Sequence, residues 1–311
     1  MNYRFSGHET FPCRYTWLPK AVRNLSEDPA LFSDEDGAMV SLGVGKNMVR
    51  AIRFWTDAAS VASASKTRGE GLEVSAFGQK VFGKGGHDEF LEDIKTLWLI
   101  HWKFSTNIKE PLFAWHYMLN FWHRADFTRT EVLQAFQQEA ERLGKKLSAV
   151  TLDHDFTTFL HTYTPTRSKK GEVLEDNLDC PLVELELIRK VGERASTDSM
   201  RREAIYAFRV EDKPEISAEL FAYCLADFWE QRFSQERTLP VRQIAVGEGS
   251  PGQVFKLPEQ ALRERLETIE RDSKGAFSYQ ESAALQQVIR QRQPNQQDLL
   301  DKVYTAHHYN S

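Results

Sequence analysis

Residues 34–59, DEDGAMVSLGVGKNMVRAIRFWTDAA, decide the reading of the fold. Residues 34–42 read as a short helix, Gly43-Val44-Gly45 as a turn and residues 46–59 as a second helix, the order of a helix-turn-helix. In the second helix Met48, Val49, Ile52 and Trp55 recur at helical spacing and form an apolar stripe. Lys46, Asn47, Arg50 and Arg53 fall largely on the opposite, wet face. Lys and Arg neutralise phosphates, and Arg and Asn can pair bidentately with guanine and adenine edges. The four are therefore candidate DNA contacts; the plainer alternative is a solvated helix face.

Working outward from this stretch, Val61-Ala62-Ser63-Ala64 and Leu72-Glu73-Val74 flank a small, polar, glycine-bearing segment at 65–71. That composition suits a hairpin loop and so the wing of a winged helix. Lys66 and Arg68 near its tip are either phosphate contacts or solubilising charge. Between Gly43 and Lys84 seven basic residues face three acidic ones, although the whole chain carries a formal net charge of −5. The distribution, not the total, points to a phosphate-facing surface.

The remaining chain frames this unit. At 311 residues it exceeds the ~100–200 residues of an ordinary domain. The expected fold is mainly α, a multi-module helical protein with an N-terminal winged helix-turn-helix and short β-hairpins. The expected modules are 1–88 for DNA binding, 89–190 for a central helical unit and 191–311 for a mainly helical C-terminal unit. A hydrophobic fraction of 41%, with seven Trp and twenty Phe, excludes a disordered chain. The start lacks the apolar core of a signal peptide and no run of about eighteen apolar residues occurs, so a cytoplasmic protein without membrane contact is expected. Cys13, Cys180 and Cys224 match neither a disulfide framework nor a paired-cysteine zinc pattern.

Beyond the wing, residues 91–123 carry four tryptophans and read as helical scaffold. Thr128-Arg129-Thr130-Glu131 opens a helix that Gly144 ends, and residues 152–163 supply another. Residues 201–210 read as strand, with a helix opening near Ser217 and running to about Ser234. Pro258 begins a helix over 259–271, Ser278-Tyr279-Gln280-Glu281 reads as the cap of a last long helix, and the tail from Pro294 reads as loosely held.

Several polar groups have residue types suited to chemistry. His8, Glu9 and Arg14 sit among Phe5, Phe11, Tyr15 and Trp17, where a base or metal ligand would stand beside a phosphate-binding cation. A buried polar network anchoring the N-terminus is the competing reading. Asp153-His154-Asp155 resembles a metal cluster on paper, but consecutive helical residues diverge, so Asp153 is read as a cap and Asp155 as structural. Glu175, Asp176 and Asp179 either converge on a hydrated divalent ion or pair with Arg167, Lys169 and Lys170. Cys180 reads as packing. His101, His116 and His123 read as core histidines, and His307-His308 as surface tail.

The segments Phe5-Ser6-Gly7-His8-Glu9-Thr10-Phe11-Pro12, Arg14-Tyr15-Thr16-Trp17-Leu18 and Leu42-Gly43-Val44-Gly45-Lys46-Asn47-Met48-Val49-Arg50 resemble the SspB-type family of bacterial DNA phosphorothioation defence systems, long catalogued as a domain of unknown function. The resemblance extends through 155–163, 176–182 and Ser250-Pro251-Gly252-Gln253-Val254-Phe255. It implies a DNA nickase that opens one strand so that sulfur can replace a non-bridging phosphate oxygen. It also implies partners: double-stranded DNA, a cysteine desulfurase, an ATPase and an ATP-pyrophosphatase-like sulfur-transfer enzyme. His8, Glu9 and Arg14 match its most distinctive motif.

Three functions follow as expectations. The first is a single-strand-nicking endonuclease, for which magnesium or manganese is the cofactor to test and no organic cofactor is expected. The second is a non-catalytic DNA-binding adaptor or regulator that recruits the modification enzymes. The third is a scaffold whose winged helices hold protein partners.

Overall fold

A computed structural model describes residues 2–65, 71–165, 180–195, 202–282 and 285–305. The fold is mainly helical, with short antiparallel sheets. Helix α1 (Trp17–Glu27) packs on α2 (Glu35–Leu42) and α3 (Lys46–Ala58). The side chain of Asp34 accepts from Asp36 N and starts α2, and Gly43 at φ 62° stops it by adopting the left-handed conformation. Val49, Ile52 and Trp55 of α3 are buried as their spacing requires, and Trp55 Nε1 donates to Phe11 O at 2.9 Å, tying the N-terminal segment to the helix. Strands β1 (Ala62–Ala64) and β2 (Leu72–Val74) pair antiparallel directly after α3, and α4 (Ala76–Phe82) follows. Residues 66–70, with Lys66 and Arg68, lie outside the described residues.

The aromatic scaffold is α5 (Ile94–Thr106) and α6 (Phe113–Asn120), whose Trp98, Trp102 and Trp115 are fully buried. Arg4 lays the N-terminal segment beside it: Arg4 N donates to Pro111 O and Phe113 N donates to Arg4 O, both at 3.0 Å. His101 is buried, with Nδ1 2.7 Å from Tyr163 Oη and Nε2 3.1 Å from Val254 O. His116 is buried too, whereas His123 is exposed. The reading of His123 as a core residue is corrected: α6 ends at Asn120, so the helical spacing that grouped the three histidines does not reach it.

Strand β3 (Asp126–Phe127) leads into α7 (Arg129–Arg142), which opens on the expected capping box of Thr128 and Glu131. Helix α8 (Ala149–Tyr163) begins earlier than read, because the Ser148 hydroxyl accepts from Thr151 N. Asp153 is thus inside the helix, ion-paired to Arg129, and does not cap it. Strands β4 (Ile188–Ala195) and β5 (Arg202–Phe208) form a sheet of order β3-β5-β4, with a bulge between Lys190 and Gly192.

Helix α9 (Ala218–Phe233) is capped by Ser217. Strand β6 (Thr238–Pro240), α10 (Val241–Val246), α11 (Pro251–Val254), α12 (Glu259–Glu267) and α13 (Ile269–Asp272) follow. Residues 278–281 belong to strand β7 (Phe277–Glu281), which pairs with β8 (Gln286–Arg290) in a sheet of order β6-β8-β7. The capping pattern was misleading because Phe277 and Tyr279 alternate along one strand face, with Tyr279 opposite Val288. The last helix is α14 (Gln296–Thr305), and Leu299, Leu300 and Val303 bury its apolar stripe next to α9. Up to residue 305, then, the tail is held, and Lys80 and His87 both bind Asp301. A continuous set of buried apolar residues runs from Phe5 to Val303. No helix among the described residues is long and apolar enough to cross a membrane.

Candidate nucleic-acid interface and polar cavity

The wet face of α3 is exposed at Lys46, Asn47, Arg50 and Arg53. Glu35 of α2 stands beside it, 2.8 Å from Lys46 Nζ and 2.7 Å from Arg50 Nε. The Arg50 hydrogen bond, followed by that from Lys46, holds the Glu35 carboxyl at a pKa of about 2. The Arg50 guanidinium is in turn held charged by Glu35 and, more weakly, by the charge of Glu9. Arg53 has no ion pair or hydrogen bond to another described residue side chain. Among the described residues, the α3 face therefore presents one guanidinium without an ion pair, that of Arg53, and two cations leaning on the single carboxylate of Glu35.

Next to the start of α3 lies a cavity of about 540 Å³. Its walls are the turn that carries His8, Glu9 and Thr10, Asn47 from α3, and Thr151 and His154 from α8. The turn takes unusual backbone angles: Gly7 has φ 110°, Glu9 50° and Thr10 63°. A Cβ at Gly7 would stand 2.8 Å from the Phe54 ring, so both the conformation and the space call for glycine.

His8 holds that turn from beneath. Only 3% of it is exposed, and its Nδ1 accepts from Thr10 N at 3.1 Å and lies 3.2 Å from Thr158 Oγ1. Its Nε2 faces Asp155 Oδ1 at 3.5 Å. Asp155 is buried, and its other oxygen accepts from Ala114 N at 3.1 Å, at the start of α6. Burial raises the Asp155 carboxyl pKa, with the His8 contact acting against that shift. Glu9 is partly exposed and His154 exposed, so these two, not His8, offer side chains to a molecule entering the cavity.

Among the residues singled out from sequence, His8, Glu9 and Asn47 meet at this cavity. Arg14 is elsewhere on the N-terminal segment, its guanidinium 5.5 Å from the Trp17 ring centre and 5.7 Å from that of Phe11. His154 was passed over as the middle of an apparent metal cluster. A signal was present: Thr151, His154 and Thr158 form a polar stripe at i, i+3 and i+7 on a helix whose other face is buried apolar. Glu175, Asp176 and Asp179 lie outside the described residues. Among the described residues no three of His, Cys, Asp and Glu form a group that would hold a metal ion. Cys180 is buried, its Sγ donating to Thr162 O at 3.3 Å, and burial pushes its thiol up to about 12, which leaves it a packing residue.

Fold and cavity together define a mainly helical protein in which an exposed cationic helix adjoins a polar, histidine- and carboxylate-bearing cavity. The chain belongs to the family described as protein of unknown function DUF4007, whose model matches residues 5–304. It is an SspB-like protein. The magnesium ion-bound crystal structure of SspB superposes with a TM-score of 0.83 at 25% identity, covering 97% of this chain and 89% of that one. A second SspB crystal structure gives 0.82 at 24% identity with the same coverage. No curated protein matches the chain.

Proposed function

We propose that the chain is a component of a DNA phosphorothioation system that binds duplex DNA and nicks one strand. In this reading α2, α3 and the β1–β2 hairpin form a winged helix, with α3 laid against the duplex. The observation that carries it is that Asn47, on the exposed basic face of α3, lines the same cavity as Glu9 and His154. Grip and chemistry would then share one face of the molecule.

Arg50, Arg53 and Lys46 would position the phosphate backbone, and Asn47 would meet a base edge or the strand to be cut. Hydrolysis needs water to attack phosphorus in line as the P–O bond to one strand end breaks, a proton for the departing oxygen, and a base to take the proton of the attacking water. Glu9 and His154 are the groups assigned to that proton, while His8 holds the turn that carries Glu9. SspB is known in a magnesium ion-bound form, and a divalent ion recruited together with phosphate oxygens is part of the proposal to be tested. The desulfurase, ATPase and sulfur-transfer enzyme of such a system are the proposed protein partners.

The adaptor reading has its own support, since His8, the sequence's first choice of base, is buried against Asp155. Supercoiled plasmid incubated with the purified chain, with and without magnesium or manganese, separates the two. Nicking is expected to fall about 100-fold or more in Glu9→Gln or His154→Ala with duplex binding kept. It should fall together with binding in an Arg50→Glu/Arg53→Glu double variant. Binding without strand breaks under every ion would establish the adaptor in place of the nickase. A wild-type chain that fails to bind duplex would remove both.

A further inference from the structure

A second cavity, of about 730 Å³, opens at the C-terminal end of α8, between its last turn and the β4–β5 sheet. His161 and Thr164 stand on one wall, and Arg189, Lys190 and Tyr206 on the other. Lys190 and Tyr206 are direct partners across β4 and β5, so a cation and an aromatic ring share one sheet face. The strand bulges immediately after Lys190, an irregularity that re-aims side chains at sheet sites.

The ring of Tyr206 is backed by other rings. It stacks on Phe127 at 5.9 Å and 27°, and Phe127 in turn meets Phe208 at 5.6 Å. Tyr206 is only partly buried, so it is a braced platform with part of its surface on the cavity. Lys190 is available for exchange, being nearly half exposed and paired with the exposed carboxylate of Glu193; Arg189, the next residue along the strand and so directed to the opposite sheet face, is paired with Glu186 and Glu211. Such surface pairs are weak and give way to a phosphate, which binds a guanidinium or ammonium through stronger charge-assisted bonds.

A cationic groove beside an aromatic platform is the general means of holding single-stranded nucleic acid, with phosphate on the cations and base on the ring. We propose that this cavity is a subsite for single-stranded DNA, seating a nucleoside phosphate with its base against Tyr206 and its phosphate on Lys190. It rests on the reading of the chain as a DNA-binding protein and deepens it. A strand opened by nicking would be retained here.

The test is fluorescence anisotropy of the full chain with a labelled single-stranded oligonucleotide and, separately, a labelled duplex, with deoxyadenosine monophosphate as competitor. Tyr206→Leu and Lys190→Glu should each weaken single-strand binding by about tenfold or more and leave duplex binding within about twofold, and Tyr206→Phe should restore it. Arg50→Glu/Arg53→Glu should do the reverse, weakening duplex binding alone. Unchanged single-strand affinity in Lys190→Glu, a substitution at an exposed strand position, overturns the proposal. So does a Tyr206→Phe variant as weak as Tyr206→Leu, or monophosphate that competes as well as the strand itself, which would mean a free-nucleotide site. Single-strand binding that neither Tyr206→Leu nor Lys190→Glu weakens, in a chain that still binds duplex, refutes the subsite alone, whereas absence of duplex binding in the wild type refutes the underlying reading.

Discussion

His101 shows how one buried side chain sets a pH limit on the whole fold. Its ring bridges Tyr163 and Val254 with no exposed surface, and Tyr163 Oη also accepts from Trp115 Nε1 at 2.9 Å. Burial pulls its pKa from 6.5 down to about 3. The unfolded chain therefore binds the proton first, and stability is full above about 6.5 and is lost as pH falls toward 3. The expected loss is about 1.4 kcal/mol for each pH unit in that window, read by denaturant titration at several pH values. A His101→Gln variant, less stable at neutral pH, should show a visibly flatter dependence; an equal slope in both proteins would assign the acid sensitivity to other groups. His8 is the contrasting residue. The sequence singled it out for chemistry, yet its place beneath the Glu9 turn depends on Thr158 and Asp155 of α8, about 150 positions away.

At the scale of elements, the pair α2 and α3 was legible because its signals are local. Asp34 starts one helix, Gly43 ends it, and the 3.6-residue spacing of Val49, Ile52 and Trp55 separates a dry face from a basic one. Glu35 modifies that face in a way the spacing alone does not reveal, since it engages both Lys46 and Arg50. Replacing it with glutamine should release the two cations, raising duplex affinity about threefold or more and steepening its salt dependence by up to about one ion. Affinity that drops in Glu35→Gln would mean that the carboxylate orients the cations for DNA and does not compete with it. Strand β7 was misread at the same scale. Ser278 to Glu281 satisfies a capping pattern, but a strand is completed by its neighbour, and β8 lies beyond what a short pattern can include.

Across the whole molecule, the C-terminal helix closes onto elements much earlier in the chain. Leu299, Leu300 and Val303 are buried, Asp301 binds Lys80 and His87, and Tyr304 Oη lies 2.8 Å from Thr96 Oγ1. Leu300→Ala should lower stability by about 2–5 kcal/mol, as for other buried leucines. Calorimetry should show one transition moving down in temperature as a unit, because the buried apolar set is continuous from Phe5 to Val303. A separate early transition would instead indicate that the C-terminal part melts alone.

Sequence by itself determined the helical class, the basic face of α3, the caps of α7 and α9, and the distinctive Gly7 to Thr10 segment. Each depends on residues within a few positions of one another, where backbone sterics and helical periodicity act directly. Tertiary structure alone decided that this segment meets Asn47 and His154 at one cavity, that His8 is buried under it, and that residues 296–305 are held. Those outcomes depend on which distant surfaces pack together, and packing of that kind is a property of the whole core and not of any local run of residues.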